Sequence, residues 1–173
     1  MSHNVFLSLG TNLGNRVANL GRALKELATG MEVVSCSPVY ETAPWGFAHQ
    51  PDFLNQVVQA HTELTPLELL SFIENIEKRM GRQPTFRYGP RIIDLDILFY
   101  DELILTSCEL TLPHPHLAER AFVLLPLTDI APALRHPVLD LTVSEMLANV
   151  VLEGVRLYAG GEGNLGKGSG GGS

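Results

Sequence analysis

The chain has 173 residues, of which 45% are hydrophobic, and this length and composition suit one domain with a substantial core. Its formal net charge of -7 at pH 7 argues against a nucleic-acid-binding surface, which normally carries a basic stripe. No apolar run approaches the roughly 20 residues that a membrane span requires, so an integral membrane protein is not expected. The isolated Cys36 and Cys108, without a signal-peptide pattern, favour a reduced cytoplasmic location.

The first elements predicted along the chain are a strand, a turn and a helix. Apolar residues alternate over 5–9 as in a half-buried strand, and they recur at helical spacing over 16–28. The turn between them, 10–14, lacks the Gly-Lys-Ser/Thr that completes a P-loop, so a Walker-type phosphate cradle is not predicted. The pattern then predicts a strand over 31–40, a loop over 42–52 and a strand over 53–62.

The next helix has the clearest boundaries in the sequence. Thr65 can cap it, Pro66 suits its first position, Glu68 completes a capping box, and Gly81 stands where a helix ends. An apolar stripe is predicted along it, made of Leu67, Leu70, Ile73, Ile76 and Met80.

The second half predicts a loop over 82–90, a strand ending at Tyr100 and its antiparallel partner over 103–112. A short helix is expected after Pro115, and the capping box that begins at Thr142 opens a final helix. Strands and helices in this order, without a regular βαβ repeat, indicate an α+β fold with helices packed on an antiparallel sheet.

The end of the chain differs in composition from the rest. Residues 159–173 are rich in glycine and serine, which is typical of a flexible linker. We therefore expect one folded domain over 1–158, followed by a linker that is either an engineered tail or a natural interdomain segment.

Two carboxylates stand two residues apart, at Asp94 and Asp96, within an apolar segment. Residues two apart in a strand share a face, so both should project together while the residues between and beside them enter the core. Neighbouring carboxylates repel each other unless a cation is bound, and these hard oxygen ligands suit magnesium that also holds phosphates. The alternative is a solvated strand edge with surface ion pairs.

Three arginines precede this pair of carboxylates in the sequence. Their planar, permanently charged forks match phosphate oxygens, so Arg82, Arg87 and Arg91 favour phosphate chemistry. His114 and His116 could suggest a zinc site, but two nitrogen donors without a nearby cysteine are too few.

Seven segments resemble one family, in its order along the chain: SLGTNLG (8–14), TAPWG (42–46), QPDFLN (50–55), GPRIIDLDIL (89–98), LPHPHL (112–117), RAFVL (120–124) and PLTDIAP (126–132). They resemble the 6-hydroxymethyl-7,8-dihydropterin pyrophosphokinases of folate biosynthesis over roughly residues 3–150. Several motifs in one order are more specific than any single pattern.

The resemblance implies a ferredoxin-like antiparallel sheet with helices packed on both faces. It also implies transfer of pyrophosphate from ATP to 6-hydroxymethyl-7,8-dihydropterin, giving AMP and the pterin diphosphate, with Mg2+ expected as two ions. The expected partners are these small-molecule substrates, without nucleic acid or membrane, together with a fusion partner joined through the C-terminal linker.

The resemblance also assigns the site residues. The catalytic residues are Arg82, Arg91, Asp94 and Asp96, and the metal ligands are Asp94 and Asp96. The ATP-binding residues are Glu77, Arg87, Tyr88, Arg91, Ile97, Thr111, His114 and Arg120. The pterin-binding residues are Thr42, Ala43, Trp45, Phe53, Asn55, Asp94 and Phe122. Stacking aromatic rings and a side-chain amide suit a flat heteroaromatic whose edge both donates and accepts hydrogen bonds.

The chain departs from the family pattern in the loop over 82–90. Gln83-Pro84-Thr85 occupies a stretch that usually carries a second arginine, and Tyr88 stands where tryptophan is frequent. Arg87 is the expected substitute for the phosphate contacts. Two other classes stay open from the residues alone: a ferredoxin-like binding module and a metal-dependent phosphohydrolase.

Overall fold

The computed structural model describes residues 1–44, 49–81 and 89–158, and within them eight strands can be assigned. Their bounds are β1 His3–Thr11, β2 Glu32–Cys36, β3 Tyr40–Thr42, β4 Phe53–Thr62, β5 Asp94–Tyr100, β6 Leu105–Thr106, β7 Thr111–Leu112 and β8 Val155–Leu157. Six of them form one antiparallel sheet, in which five strands follow the order β5-β1-β4-β3-β8 and β2 is the sixth. β2 also pairs with β4, and β6 pairs with β7 in a separate hairpin.

The helices follow the caps that the sequence provides. Their bounds are α1 Arg16–Leu27, α2 Pro66–Arg79, α3 Ala121–Ile130 and α4 Val143–Leu147, with a 3-10 turn at Leu117–Glu119. The Asn15 side chain accepts from the N–H of Ala18 at the start of α1. The predicted capping boxes at Thr65 and Thr142 both form. Since these caps satisfy N–H groups that have no partner within the helix, they fix where each helix begins.

The sheet has two buried faces, each covered by helices. Alternate residues of β1, such as Val5, Leu7 and Leu9, pack with α1 and α2 on one face. On the other face, Phe6 of β1 and Val57 of β4 pack with α3 and α4. This alternation follows from the two-residue repeat of a strand. The predicted ferredoxin-like fold, with helices on both faces of an antiparallel sheet, is confirmed.

Two details of the predicted elements are wrong. Leu67 is predicted to belong to the apolar stripe of α2, but it is 48% exposed. Leu69 lies in the buried stripe instead. The segment 103–112 does not pair with β5. Hydrogen bonds between Ser107 and Leu110 turn it back on itself, so that β6 pairs with β7, while β5 pairs with β1.

Parts of the predictions lie outside the described residues. These are most of the loop over 82–90 and the linker over 159–173. The division into a domain over 1–158 and a linker stays a prediction. Among the described residues, no helix is long and apolar enough to cross a membrane.

Candidate active site

Asn55, Gly10 and Asp94 form a row across three adjacent strands. Gly10 of β1 is directly opposite Asn55 of β4 on one side and Asp94 of β5 on the other. Residues that face each other on antiparallel strands project to the same side of the sheet. The amide and the carboxylate therefore flank a glycine that has no side chain to fill the space between them.

The Asn55 amide is oriented by its neighbour on β3. Its Nδ2 donates to Oγ1 of Thr42 at 2.6 Å, and both residues are buried. A Cβ built on Gly10 would lie 3.4 Å from Oδ1 of Asn55 and 3.9 Å from Cδ1 of Phe53. The position over Gly10 is therefore bordered by an amide and an aromatic ring. Ala43 follows Thr42 directly, and its N–H bonds the carbonyl of Gly154 at 3.4 Å.

Asp94 and Asp96 point to the same face of β5, as the sequence predicts. The residues around them, Ile93, Leu95 and Ile97, are at most 4% exposed and lie in the core. Ser8 of β1 is opposite Asp96, two residues along the strands from the row that contains Gly10 and Asp94. Among the described residues no group of three or more His, Cys, Asp or Glu could hold a metal. A pair of carboxylates fits magnesium that is also bound by substrate phosphates, because this ion is commonly held by only one or two carboxylates and keeps several waters.

Glu77 fixes the strand between the two carboxylates. It lies on α2, is 4% exposed, and its Oε2 accepts the N–H of Leu95 at 3.0 Å. This N–H belongs to the residue between Asp94 and Asp96. Glu77 therefore positions the carboxylate pair through the main chain of β5.

Asn12 joins two segments that border the site. Its Oδ1 accepts the N–H of Arg91 at 2.7 Å, and its own N–H donates to the Arg91 carbonyl at 3.0 Å. Its Nδ2 donates to Oε1 of Gln50 at 2.8 Å and to the carbonyl of Pro51 at 3.0 Å. Asn12 is 1% exposed, and these hydrogen bonds satisfy its buried polar groups within the protein. The sequence predictions did not include Asn12, although it lies in the SLGTNLG motif.

His114 is neutral and presents one N–H toward Asp96. Burial, and to a smaller extent the charges of Arg120 and His116, lower the pKa of His114 to about 4, while the charge of Asp94 opposes this shift. Its Nδ1 accepts the N–H of His116 at 3.1 Å, so the ring proton is on Nε2. Nε2 lies 4.0 Å from Oδ1 of Asp96. The main-chain N–H of His114 also bonds the carbonyl of Leu98 on the outer edge of β5.

Arg120 and Phe122 stand at the start of α3, on the same side of the sheet as the row. Cζ of Arg120 lies 5.6 Å from the centroid of the Phe122 ring. Phe53, at the first position of β4, supplies a second half-buried ring. These two rings are the predicted stacking residues, and the fold brings them from a helix and from the sheet toward one face.

Two predicted ATP residues lie near the outer edge of β5. Thr111 is on β7, which contacts this strand. The Ile97 side chain is 3% exposed and lies in the core facing α1 and α2, so a contact between Ile97 and ATP requires its main chain. Four other predicted site residues, Trp45, Arg82, Arg87 and Tyr88, lie outside the described residues.

The family model for 7,8-dihydro-6-hydroxymethylpterin-pyrophosphokinase matches residues 6–132. A 2-amino-4-hydroxy-6-hydroxymethyldihydropteridine pyrophosphokinase of Aquifex aeolicus is 42% identical over 134 residues, which are 78% of this chain and 84% of that protein. A folic acid synthesis protein of Dictyostelium discoideum is 44% identical over 146 residues. That match covers 84% of this chain but 22% of the longer protein, so the chain spans about a fifth of that relative.

The fold has a counterpart among solved structures. A Plasmodium falciparum HPPK-DHPS, crystallised with pterin and p-hydroxybenzoate, superposes with a TM-score of 0.71 at 19% identity, covering 86% of this chain and 43% of that one. At this identity the similarity shows the fold. The sequence matches show that the chain belongs to the 7,8-dihydro-6-hydroxymethylpterin-pyrophosphokinase family, which confirms the predicted family and enzyme class, an ATP-dependent pyrophosphokinase.

Proposed function

We propose that this chain transfers pyrophosphate from ATP to 6-hydroxymethyl-7,8-dihydropterin and releases AMP. The observation that carries the proposal is the row of Asn55, Gly10 and Asp94 on one face of the sheet. Two strand spacings separate the amide from the carboxylate, roughly 10 Å between main chains. A flat bicyclic ring with a hydroxymethyl arm fits over the glycine between these two groups.

The pterin half of the site consists of groups that suit a planar heteroaromatic. The rings of Phe53 and Phe122 stack on its faces, and Asn55 bonds its polar edge. Thr42 holds the Asn55 amide in one orientation. The main chain of Thr42, Ala43 and Trp45 completes the pocket, as the family resemblance implies.

The phosphate half of the site begins at Asp94 and Asp96. These carboxylates would hold Mg2+, as two ions, together with the phosphates of ATP. When bound, Mg2+ neutralises phosphate charge and assists deprotonation of the pterin hydroxyl. The side-chain pair supplies the oxygen ligands, and Glu77 keeps the pair aligned through Leu95.

At the β-phosphorus the reaction forms one bond and breaks one. The hydroxymethyl oxygen attacks the β-phosphorus of ATP and loses its proton, and the bond from that phosphorus to the α,β-bridging oxygen breaks as AMP leaves.

Arg91 and Arg82 stabilise charge on the leaving AMP, and Arg87 and Tyr88 contact the nucleotide. His114 donates its Nε2–H to phosphate oxygen beside Asp96, and Arg120 pairs with the same polyphosphate. Thr111 and the main chain of Ile97 contact the nucleotide at the outer edge of β5.

The products of ATP test this proposal. The chain is incubated with ATP, Mg2+ and 6-hydroxymethyl-7,8-dihydropterin, and the nucleotides are separated by chromatography. We expect AMP and pterin diphosphate in equal amounts, and no AMP without the pterin. ADP or free phosphate would indicate a phosphohydrolase, and unchanged ATP would indicate a binding module. The cytoplasmic location and the fusion through the C-terminal linker stay predictions.

A further inference from the structure

Four charged residues form a cluster beneath the pterin half of the site. Arg156 of β8 donates through Nη2 to Oε1 of Glu41 at 2.7 Å and to Oδ2 of Asp52 at 2.8 Å. Arg16 of α1 donates through Nη1 to Oε2 of Glu41 at 2.6 Å and to the carbonyl of Asp52 at 3.0 Å. Each arginine therefore bonds both acidic residues.

The two acidic residues immediately precede two pterin residues. Glu41 comes directly before Thr42 on β3, and Asp52 comes directly before Phe53, the first residue of β4. Thr42 and Phe53 face each other across the two strands. A group that holds Glu41 and Asp52 together therefore fixes the spacing of the strand ends that border the pocket.

The cluster and the pocket lie on opposite faces of the sheet. Neighbouring residues of a strand point to opposite faces, so Glu41 points away from the side of Thr42. Arg156 is opposite Glu41 in the pairing of β8 with β3 and shares its face. Arg16, at the start of α1, bonds Glu41 on this face. Arg156 therefore acts on the pocket through the main chain and not through contact with the ligand.

The cluster is more than a chance contact of mobile surface side chains. The Glu41 side chain is 16% exposed and bonds both arginines, which reduces the entropy cost that weakens isolated surface pairs. The hydrogen bonds to Asp52 and Glu41 raise the pKa of the Arg156 guanidinium. Beside it, main-chain pairing of Thr42 with Val155 attaches β8 to the same strand end.

We infer that Arg156 is a positioning residue for pterin binding, and that it makes β8 part of the substrate site by holding Glu41 and Asp52 together. This inference rests on the proposed function. It assigns a role in substrate affinity to an element that lies after the end of the family match at residue 132.

Arg156→Gln tests the inference, with Arg135→Gln as a matched control. Arg135 also pairs with an acidic residue, Asp140, and its side chain is 56% exposed, against 54% for Arg156. It lies in the segment between α3 and α4 and belongs to neither β3 nor β8. Binding of 6-hydroxymethyl-7,8-dihydropterin and of an ATP analogue with a methylene group between the α- and β-phosphorus is measured by calorimetry.

We expect Arg156→Gln to raise the Kd for the pterin about tenfold, the size of a typical coupling between contacting residues. The Kd for the ATP analogue and kcat at saturating pterin should change less than twofold, so that the loss is in KM. Arg156→Lys should recover only part of the affinity, because an ammonium does not present the planar fork that spans two carboxylates. Arg135→Gln should change neither of the two dissociation constants.

Two results would overturn the inference. One is an unchanged pterin Kd in Arg156→Gln. The other is an equal loss of affinity for both ligands with a lowered Tm, which would show a general structural role. A failure of the proposed reaction can be distinguished from these results. If the unmodified chain binds the pterin but forms no AMP, the proposed reaction is wrong. The comparison of Arg156→Gln with Arg135→Gln would still decide the role of the cluster.

Discussion

Asn12 accepts the main-chain N–H of Arg91 at 2.7 Å and so places the residue that leads into the Asp94 strand. The same side chain donates to Gln50 and to the carbonyl of Pro51, just before the Phe53 strand. One buried amide therefore joins the phosphate half of the site to the pterin half.

Asn12→Asp and Asn12→Ala should separate these two links. The aspartate keeps an acceptor for Arg91 but cannot donate to Gln50, whereas alanine loses both. We expect kcat to fall more in Asn12→Ala than in Asn12→Asp, by roughly tenfold, since a buried N–H left unbonded costs about 1–3 kcal/mol. Steady-state kinetics and thermal unfolding of both variants check this. Equal kcat in the two variants would contradict the role of the Arg91 bond.

Gly10→Ala should block pterin binding while the fold stays intact. The added methyl group would lie 3.4 Å from Oδ1 of Asn55, an ordinary contact, so the sheet should accept it. It would, however, fill the space between Asn55 and Asp94. We expect the pterin Kd to rise at least tenfold with little change in Tm. Gly21→Ala, on α1 with open space around it, is the control and should leave binding unchanged. Normal pterin affinity in Gly10→Ala would place the ligand elsewhere.

Asp94→Asn and Asp96→Asn should each abolish turnover without unfolding the protein. Removing one charge lessens the repulsion between the two carboxylates, but it also removes half of the carboxylate ligands for Mg2+. Asp140→Asn, at an exposed position, serves as control. Mg2+-dependent AMP formation and urea unfolding are measured for all three. If either site variant kept near-normal turnover, the carboxylate pair would not be the metal site.

Arg91→Ala should lower the rate more than the affinity. Charge moves toward the bridging oxygen as the bond to AMP breaks, so a guanidinium placed there gains strength along the reaction. We expect kcat to fall by roughly 100-fold, while the Kd for the methylene ATP analogue changes much less. Single-turnover kinetics beside equilibrium titration measures both. A loss confined to binding would make Arg91 a substrate clamp only.

His136 should make the stability of the fold depend on pH. It is 7% exposed, burial lowers its pKa below the ordinary 6.5, and its Nδ1 accepts the N–H groups of Val138 and Leu139. Below pH 6.5 the unfolded chain binds a proton that the folded chain does not. The free energy of unfolding therefore decreases as the pH is lowered. The slope for one proton is at most about 1.4 kcal/mol per pH unit.

Urea unfolding at pH 7.5 and pH 5 measures this effect. His136→Asn keeps an acceptor for the two N–H groups but does not titrate in this range, so its stability should change less between the two pH values. The same pH dependence in both proteins would assign it to other groups.

Local sequence signals were sufficient for most elements of the fold. The capping boxes at Thr65 and Thr142 set the starts of α2 and α4, and the predicted strand over 53–62 coincides with β4. These signals are local, because a cap or an alternating pattern acts within a few residues of the chain. The segment 103–112 was mispredicted because the choice of partner strand depends on the whole sheet.

The sequence by itself determined the family, the fold class and the shared face of Asp94 and Asp96. Tertiary structure alone decided that Gly10 separates Asn55 from Asp94, because strand register joins residues that are distant in sequence. It also decided that Asn12 bonds Arg91 and that Arg156 bonds Glu41 and Asp52, contacts that span 79, 115 and 104 residues of sequence. No local pattern encodes such contacts, since they form only when the strands and helices pack.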